Sequence, residues 1–183
     1  VSQAEQRLGE AVRRVTGRGG KLLIPSFALG RAQELVYSLH ALFRRGEIPG
    51  VPIYVDSPLA VDATAVFRLH QDVFDRREQL VARQDAIFDF PLVRYVRDVQ
   101  ESKKLNHLHG PAIIIAASGM AESGRILHHL ANHIGDHRNL VLIVGFQAEH
   151  TLGRRIQEGQ NPVKIYGEMV PLRAEVETIT GYS

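Results

Sequence analysis

The segment AIIIAASGMAESGRILHHLANH, residues 112–133, passes within a few positions from apolar residues to serine, glycine and arginine, and then to paired histidines. Its apolar run has the length of a buried strand, and the apolar residues after the turn repeat at helical spacing. The same order recurs in KLLIPSFALGRAQELVYSL (21–39), VPIYVDSPLAVDATAVFRLH (51–70) and NLVLIVGFQAEHTLGRRIQEG (139–159). Four strand-to-helix units predict an α/β fold of three layers, in which helices flank a mainly parallel sheet.

The other segments are shorter and less regular. Residues 72–110 predict one or two short helices, an irregular strand around residues 92–96 and another short helix after Val99. The C-terminal residues 161–183 alternate apolar and polar side chains between short turns. This pattern predicts two or three additional strands at the C-terminal end, which extend the sheet edge or form a satellite.

The composition fits a single compact domain over residues 1–183, because 44% of the residues are hydrophobic and 23% are charged. The apolar runs are far shorter than the roughly 20 residues of a membrane-spanning helix. The first residues lack the apolar core of a secretion signal. We therefore expect a cytoplasmic protein with no membrane partner. The absence of cysteine excludes disulfides, thiolate zinc sites and cysteine nucleophiles.

Polar residues follow each of the four predicted strands. The turns read PSFALGRAQ (25–33), DSPLAVDAT (56–64), ASGMAESGR (117–125) and GFQAEHTLGR (145–154), and three of them contain a Gly-Arg pair. The carboxyl ends of parallel strands share one edge of a sheet, where ligands collect. Glycines there allow close approach of the backbone, while arginines, hydroxyls and free amides bind phosphate. The net charge of +2 is too small to indicate polyanion binding by itself, so this interpretation rests on position.

An alternative explains each turn without a ligand. Glycines ease the backbone between a strand and a helix, and the arginines then lie on solvated helix faces. This is the commoner explanation for a single turn, whereas three Gly-Arg turns on one edge favour phosphate binding. Neither GxxxxGK[ST] nor GxGxxG follows any predicted strand. Several phosphates along a polymer therefore fit better than one nucleotide.

The histidines raise the question of a metal site. His129 and His133 are four residues apart and share a helix face, a spacing that can hold zinc. The segment lacks the glutamate of HExxH, and spacing fixes no third ligand, so we expect these side chains to line a polar groove or cap a helix end. Asp56 at a strand end suits acid–base chemistry or helix capping. A serine hydrolase has little support, because no GxSxG motif is present.

A family resemblance emerges from six motifs taken together. They are GGKLLIPSFALGRAQELVYSL, PIYVDSPLAVDAT, ESKKLN, IIIAASGMAESGRILHHL, VGFQAEHTLGRRI and VKIYGEMVPLRAEVETITGYS. Their sequence and order strongly resemble the Rossmann-like β-CASP domain of metallo-β-lactamase-fold RNA nucleases, a group that includes the cleavage-and-polyadenylation endonuclease and ribonuclease J. The resemblance covers almost the whole chain except residues 72–99.

The resemblance implies a part of a zinc-dependent ribonuclease. In that family the β-CASP domain is inserted into a metallo-β-lactamase fold, and RNA is cut in the cleft between them. The HxHxDH zinc motif is absent here, so we expect the zinc ligands and the catalytic residues to lie outside this chain. The family's acidic motif would precede Val1, and a histidine-bearing continuation would follow Ser183. On this view the chain is a β-CASP domain from a larger enzyme, inactive alone, that binds single-stranded RNA.

The family's substrate-facing motifs map onto residues of the four turns. The RNA-binding or cleft-lining candidates are Ser26, Phe27, Gly30, Arg31, Gln33, Asp56, Ser57, Ser118, Gly119, Arg125, His128, His129, Gln147, His150, Thr151, Gly153 and Arg154. His150 departs from the family, in which many relatives have glycine. We expect Arg125 to face phosphate, and His128 and His129 to be structural rather than metal ligands.

Other partners and functions remain open at this level. The resemblance implies the metallo-β-lactamase domain of the same protein as a partner, and a homodimer is possible because many relatives dimerise. The main rival is a stand-alone nucleotide- or polyanion-binding module of the Rossmann type without catalysis. A small-molecule hydrolase has the least support.

Overall fold

The computed structural model describes residues 2–27, 30–69 and 91–182. Its main sheet has the order β3-β2-β4-β1-β5-β8, and every neighbouring pair is parallel. The six strands are β1 Lys21–Pro25, β2 Ile53–Asp56, β3 Val93–Val96, β4 Ala112–Ala116, β5 Leu140–Ile143 and β8 Glu175–Thr178. The predicted parallel α/β architecture is confirmed.

Helices cover both faces of this sheet. The described helices are α1 Gln3–Gly17, α2 Arg31–Arg44, α3 Pro58–Leu69, α4 Val99–Lys104, α5 Ile126–His133 and α6 Leu152–Gln157, and a short 3-10 turn, Leu105–His107, follows α4. Helices α1 and α2 pack on one face, whereas α5 and α6 pack on the other. This is the three-layer arrangement that the strand-to-helix units predict.

The central strands are apolar throughout because both of their faces are covered. Leu23 of β1 lies opposite Ile114 of β4 and Val141 of β5, and all three pack against the α5 and α6 layer. The next residue, Ile24, points to the other face and packs in the α1 and α2 layer. Alternation along each strand thus builds two separate cores. Complete burial of one such side chain contributes about 1.5 to 3 kcal/mol.

The edge strand β8 is tied to α1 by ion pairs. Arg14 and Arg18 contact Glu175 at 2.7 Å each, and Arg7 contacts Glu177 at 3.1 Å. A single surface pair adds little stability. Here several pairs share partners, so together they fix the position of β8.

The sequence predicts C-terminal strands that extend the sheet edge or form a satellite, and the structure contains both. Strands β6 Val163–Ile165 and β7 Glu168–Val170 form an antiparallel hairpin of their own, while β8 extends the main sheet. Strand β3 and helix α4 also occur where the sequence predicts them. The short helices predicted ahead of β3 fall within residues 70–90, outside the described residues. Among the residues described, no helix has the length and apolar composition that a membrane crossing requires.

Candidate functional site

The four predicted turns meet at one edge of the sheet. Strands β2, β4, β1 and β5 are consecutive and parallel, so their carboxyl ends lie side by side. We name the turns by chain order: the first follows β1, the second follows β2, the third covers residues 117–125 and the fourth covers residues 145–154. The structure therefore brings together side chains that are more than 100 residues apart in sequence.

The centre of the second and third turns is a buried carboxylate. Asp56 at the end of β2 is fully buried. Arg125 Nη1 donates to its Oδ1 at 2.7 Å, and His129 Nε2 lies 2.6 Å from its Oδ2. The Ser102 hydroxyl, from α4, also donates to Oδ2. Together with His128, these residues form what we term the Asp56 cluster.

The hydrogen bonds of the cluster keep Asp56 ionised. Burial raises the pKa of this carboxyl, but the hydrogen bonds from His129 and Ser102, the charge of His129 and the bond from Arg125 together bring the pKa below its usual value. A fully buried carboxylate with three donors is already satisfied. The geometry therefore supports a structural role for Asp56 rather than proton transfer to a ligand.

The neighbouring imidazole is bonded to protein groups through both of its ring nitrogens. His128 Nε2 lies 2.8 Å from the Ser102 hydroxyl, and its Nδ1 lies 2.7 Å from Asn106 Oδ1. Burial, followed by the proximity of His129, lowers the pKa of His128 to about 4. Both ring nitrogens are therefore occupied by protein groups, which fits the structural role expected from the sequence.

His129 and His133 share a helix face but not a partner. His129 points to Asp56, whereas His133 Nε2 lies 3.1 Å from the carbonyl oxygen of Leu105. Burial lowers the pKa of His133 to about 4, although the bond to that carbonyl opposes the shift. The pair therefore fastens α5 to β2 and to the 3-10 turn through two separate contacts.

One group of side chains has ligand atoms close enough for a cation. The atoms of Asp56, His128 and His129 lie within 4.8 Å of one another, and no other such group occurs in residues 2–27, 30–69 and 91–182. Both oxygens of Asp56 already accept hydrogen bonds, and one of them contacts the Arg125 guanidinium. A divalent cation would have to displace that positive charge. The residue types suit zinc, but their occupied atoms and the adjacent guanidinium do not fit a zinc site.

The three Gly-Arg arginines have different environments. The Arg125 side chain is 14% exposed and also donates to the carbonyl oxygens of Arg97, at 2.6 Å, and Asp98. Arg31 and Arg154 instead bond to carboxylates on their own helices, and both carboxylates are exposed. Arg125 is thus held by a buried carboxylate and two backbone carbonyls. Arg31, which is 17% exposed, and Arg154, which is 36% exposed, pair with exposed carboxylates that an anion can replace, and Arg154 also donates to the Gln147 carbonyl oxygen at 3.3 Å.

The third and fourth turns are interlocked. Gln147 Nε2 donates to the carbonyl oxygen of Gly119 at 2.9 Å, and the Gly153 amide donates to Met120 at the same distance. A Cβ at Gly153 would lie 1.8 Å from Gln147 Oε1. Gln147 and Gly153, which the sequence places among the cleft candidates, therefore hold the two turns against each other.

The hydroxyls and Gln33 make local contacts. Ser57 accepts from the Ala60 amide at 3.2 Å, and Ser118 accepts from the Glu122 amide at 3.2 Å. Gln33 donates to the carbonyl oxygen of Ala60 at 3.2 Å, which joins α2 to α3. In this geometry these side chains cap helices and shape turns.

Ser26 and Thr151 likewise bond within their own turns. The buried Ser26 hydroxyl donates to the Phe27 carbonyl at 3.1 Å, and Thr151 accepts from the Arg154 amide at 3.2 Å at the start of α6. Phe27 lies against Gly119, where a Cβ would be 2.7 Å from its ring. Gly30 adopts a positive φ of 79° ahead of α2.

Sequence reasoning missed several residues of this edge. Ser102 and Asn106 both lie within the quoted ESKKLN motif, but nothing in the motif indicates that they contact Asp56 and His128. Phe146, three residues after the end of β5, is 75% exposed, although an apolar residue predicts burial. The sequence signal that could have indicated Phe146 is an aromatic residue in the turn after a strand.

A family model described as the Beta-Casp domain matches residues 32–156. The chain belongs to the β-CASP family. It is 39% identical to ribonuclease TTHA0252 of Thermus thermophilus, over 95% of the chain and 40% of that protein. It is 36% identical to the transcription termination factor FttA of Thermococcus kodakarensis, over 99% of the chain and 29% of that protein. An RNase J-like protein of Methanocaldococcus jannaschii is 33% identical over 96% of the chain and 40% of its own length. The chain thus spans at most 40% of the length of these β-CASP relatives.

His150 stands where the family resemblance leads us to expect glycine in many relatives. His150 is exposed in the fourth turn and has a φ of 67°, in the left-handed region. Glycine adopts this conformation without steric cost, whereas other residues do so with difficulty. The backbone of this β-CASP domain therefore keeps a conformation suited to glycine although histidine occupies the position.

Proposed function

We propose that this chain forms the RNA-holding wall of a ribonuclease. The parent protein would hydrolyse RNA phosphodiesters, and the carboxyl edge of the sheet would position the single-stranded substrate. The observation that carries the proposal is the meeting of four turns at one edge, with Arg31 and Arg154 available there, in a chain whose relatives include a protein named ribonuclease.

The edge offers the two chemistries that single-stranded RNA requires. Arg31 and Arg154 can exchange their exposed carboxylate partners for phosphate oxygens. Phe27 and Phe146 expose aromatic surface on the first and fourth turns, and bases can stack on it. The buried Asp56 cluster would keep the third turn rigid beneath this surface.

The chemical step is proposed to take place outside this chain. The sequence lacks HxHxDH, and the Asp56 cluster does not fit a metal ion. Zinc held by a metallo-β-lactamase domain of the same parent protein would supply the hydrolytic chemistry. The residues described here would bind and orient the RNA.

The test is a titration of fluorescein-labelled single-stranded RNA with the purified chain at several salt concentrations, followed by electrophoresis of the RNA. We expect binding that weakens as salt increases, because phosphate contacts release counterions, and RNA of unchanged length. Failure to bind at low salt would contradict the proposed RNA-holding role. Cleavage by the chain itself would overturn the assignment of catalysis to another part of the protein.

A further inference from the structure

A large cavity lies beside the Asp56 cluster, on the side away from the fourth turn. Its volume is about 810 Å³, within the range of small-molecule sites. It is open to solvent, and four segments line it: the start of α3, the α4 helix with its 3-10 turn, the third turn and the tip of the β6–β7 hairpin. The cavity borders the second and third turns, where Ser57 and Arg125 line it, but its lining does not include Arg31 or Arg154.

The cavity has the charge expected of a site for an anion. Among the described residues that line it, none is acidic. Lys103 and His107 are exposed on α4 and its 3-10 turn and line the rim. The guanidinium of Arg125 also borders the cavity but is held by Asp56. A phosphate would therefore meet an ammonium and an imidazole without a competing carboxylate.

The walls of the cavity expose large apolar side chains. Tyr166 at the tip of the hairpin is 64% exposed, and more than half of Leu59 is exposed at the start of α3. Val99, at the first position of α4, is half exposed. A planar heterocycle that stacks on the tyrosine ring would cover this surface.

Some of the polar atoms on the inner side of the cavity already have hydrogen-bond partners in the protein. Both nitrogens of His128 bond to Ser102 and Asn106, so His128 presents its ring rather than its nitrogens to a ligand. One end of the Asn106 amide bonds to His128, and the other end has no hydrogen bond to the residues that the structure describes. That amide can therefore bond to the polar edge of a base.

We propose that this cavity binds one nucleotide unit of the RNA, with the base against Tyr166 and its phosphate beside Lys103. The proposal rests on the proposed function and adds a subsite away from the Arg31 and Arg154 region. The same chemistry is present in a free mononucleotide, so the experiment has to separate the two sources.

Two exposed substitutions with matched controls test the cavity. Tyr166→Ala removes the stacking surface, and Met169→Ala changes an exposed residue of the same hairpin that does not line the cavity. Lys103→Ala removes the rim charge, and Lys104→Ala removes the adjacent exposed charge outside the lining. Affinity is measured by anisotropy of a fluorescein-labelled 12-nucleotide RNA, and the fold of each variant by its amide NMR spectrum.

We expect Tyr166→Ala to weaken RNA binding about five- to tenfold, in keeping with the loss of one stacked base. Lys103→Ala should weaken it severalfold and reduce the slope of log affinity against log salt by about 0.7. Both controls should bind nearly as well as the unmodified chain. If Tyr166→Ala and Lys103→Ala match their controls while the unmodified chain still binds RNA, the cavity proposal is overturned and the proposed function stands. If the unmodified chain does not bind RNA, the proposed function itself fails.

Amide NMR titrations of the full chain with uridine monophosphate and with the same RNA identify the source of the nucleotide. Shifts at Lys103 and Tyr166 with both ligands support a site that also takes free mononucleotides. Shifts there with RNA alone support a unit held by the strand. Shifts confined to the fourth turn with both ligands would contradict the cavity proposal.

Discussion

The Asp56 cluster and the fourth turn lie on the same edge of the sheet but differ in how their charges are used. Asp56 and His129 are fully buried, and the Asp56 oxygens are occupied by protein donors. At the fourth turn Phe146 is exposed, and Arg154 is 36% exposed beside an exposed glutamate. One region holds the edge together and the other is open to a ligand. Burial and hydrogen-bond saturation separate the two roles, although the residue types are similar.

The largest expected effect of a substitution is in the buried region. Asp56→Asn removes the charge opposite Arg125 and disrupts the donors from Ser102 and His129, so the free energy of unfolding should fall by about 3 to 5 kcal/mol. Urea denaturation measures this. Asp62→Asn, which breaks the exposed pair with Arg97, is the control and should have little effect. Equal losses of unfolding free energy in the two variants would contradict a special structural role for the buried Asp56 cluster.

The buried region should also respond to acid. The pKa values of His128 and His133 are about 4 in the folded chain and near 6.5 when unfolded. Between these values the unfolded chain takes up protons that the folded chain does not, so stability falls as the pH drops from about 6.5 to about 4. The expected loss from His133 is on the order of 2 kcal/mol, with less from the more exposed His128. Urea midpoints at pH 7, 5.5 and 4.5 measure it, and His133→Asn should flatten the profile.

The contact between the third and fourth turns predicts a smaller effect. Gly153→Ala places a Cβ 1.8 Å from Gln147 Oε1 and 2.8 Å from the Met120 carbonyl, and should cost about 1 to 3 kcal/mol. Gly145→Ala is the matched control, because a Cβ there meets nothing within 4 Å. Thermal unfolding compares the two. A stable Gly153→Ala variant would mean that the turns are not held at this distance.

The smallest effect is expected at His150 in the open region. His150→Gly relieves the left-handed backbone and should raise the free energy of unfolding by up to about 1 kcal/mol. His137→Gly, at an exposed position without a positive φ, should instead lower it. Urea unfolding of both variants checks the sign. A loss of stability at position 150 would show that the imidazole makes a contact worth more than the strain.

Much of the fold follows from local sequence patterns. Runs such as AIIIA, followed by a turn and a helical repeat, predict β4 and α5 correctly, and repetition of the unit predicts a parallel sheet. The meeting of the four turns follows from parallel strands alone. Sequence also indicates that His128 and His129 are structural, and the geometry fits that interpretation.

The roles of individual site residues could not be predicted in this way. Ser102 contacts Asp56 across 46 residues because the sheet order places β3, and therefore α4, beside β2. No local sequence pattern predicts the order of the strands in the sheet. The Gly-Arg pattern is likewise identical at Arg125 and Arg154, and only the position of a buried carboxylate distinguishes them.

The most direct test compares Arg125→Ala with Arg154→Ala in two measurements, the free energy of unfolding and the affinity for single-stranded RNA. We predict that Arg125→Ala loses about 3 kcal/mol or more of stability, because Asp56 is left buried without its cationic partner. Arg154→Ala should keep its stability and bind RNA severalfold more weakly, with a salt slope reduced by about 0.7. Two results would contradict this division between a structural Asp56 cluster and a ligand-binding fourth turn. One is an Arg125→Ala variant that keeps its stability but binds RNA more weakly. The other is an Arg154→Ala variant with unchanged affinity for RNA.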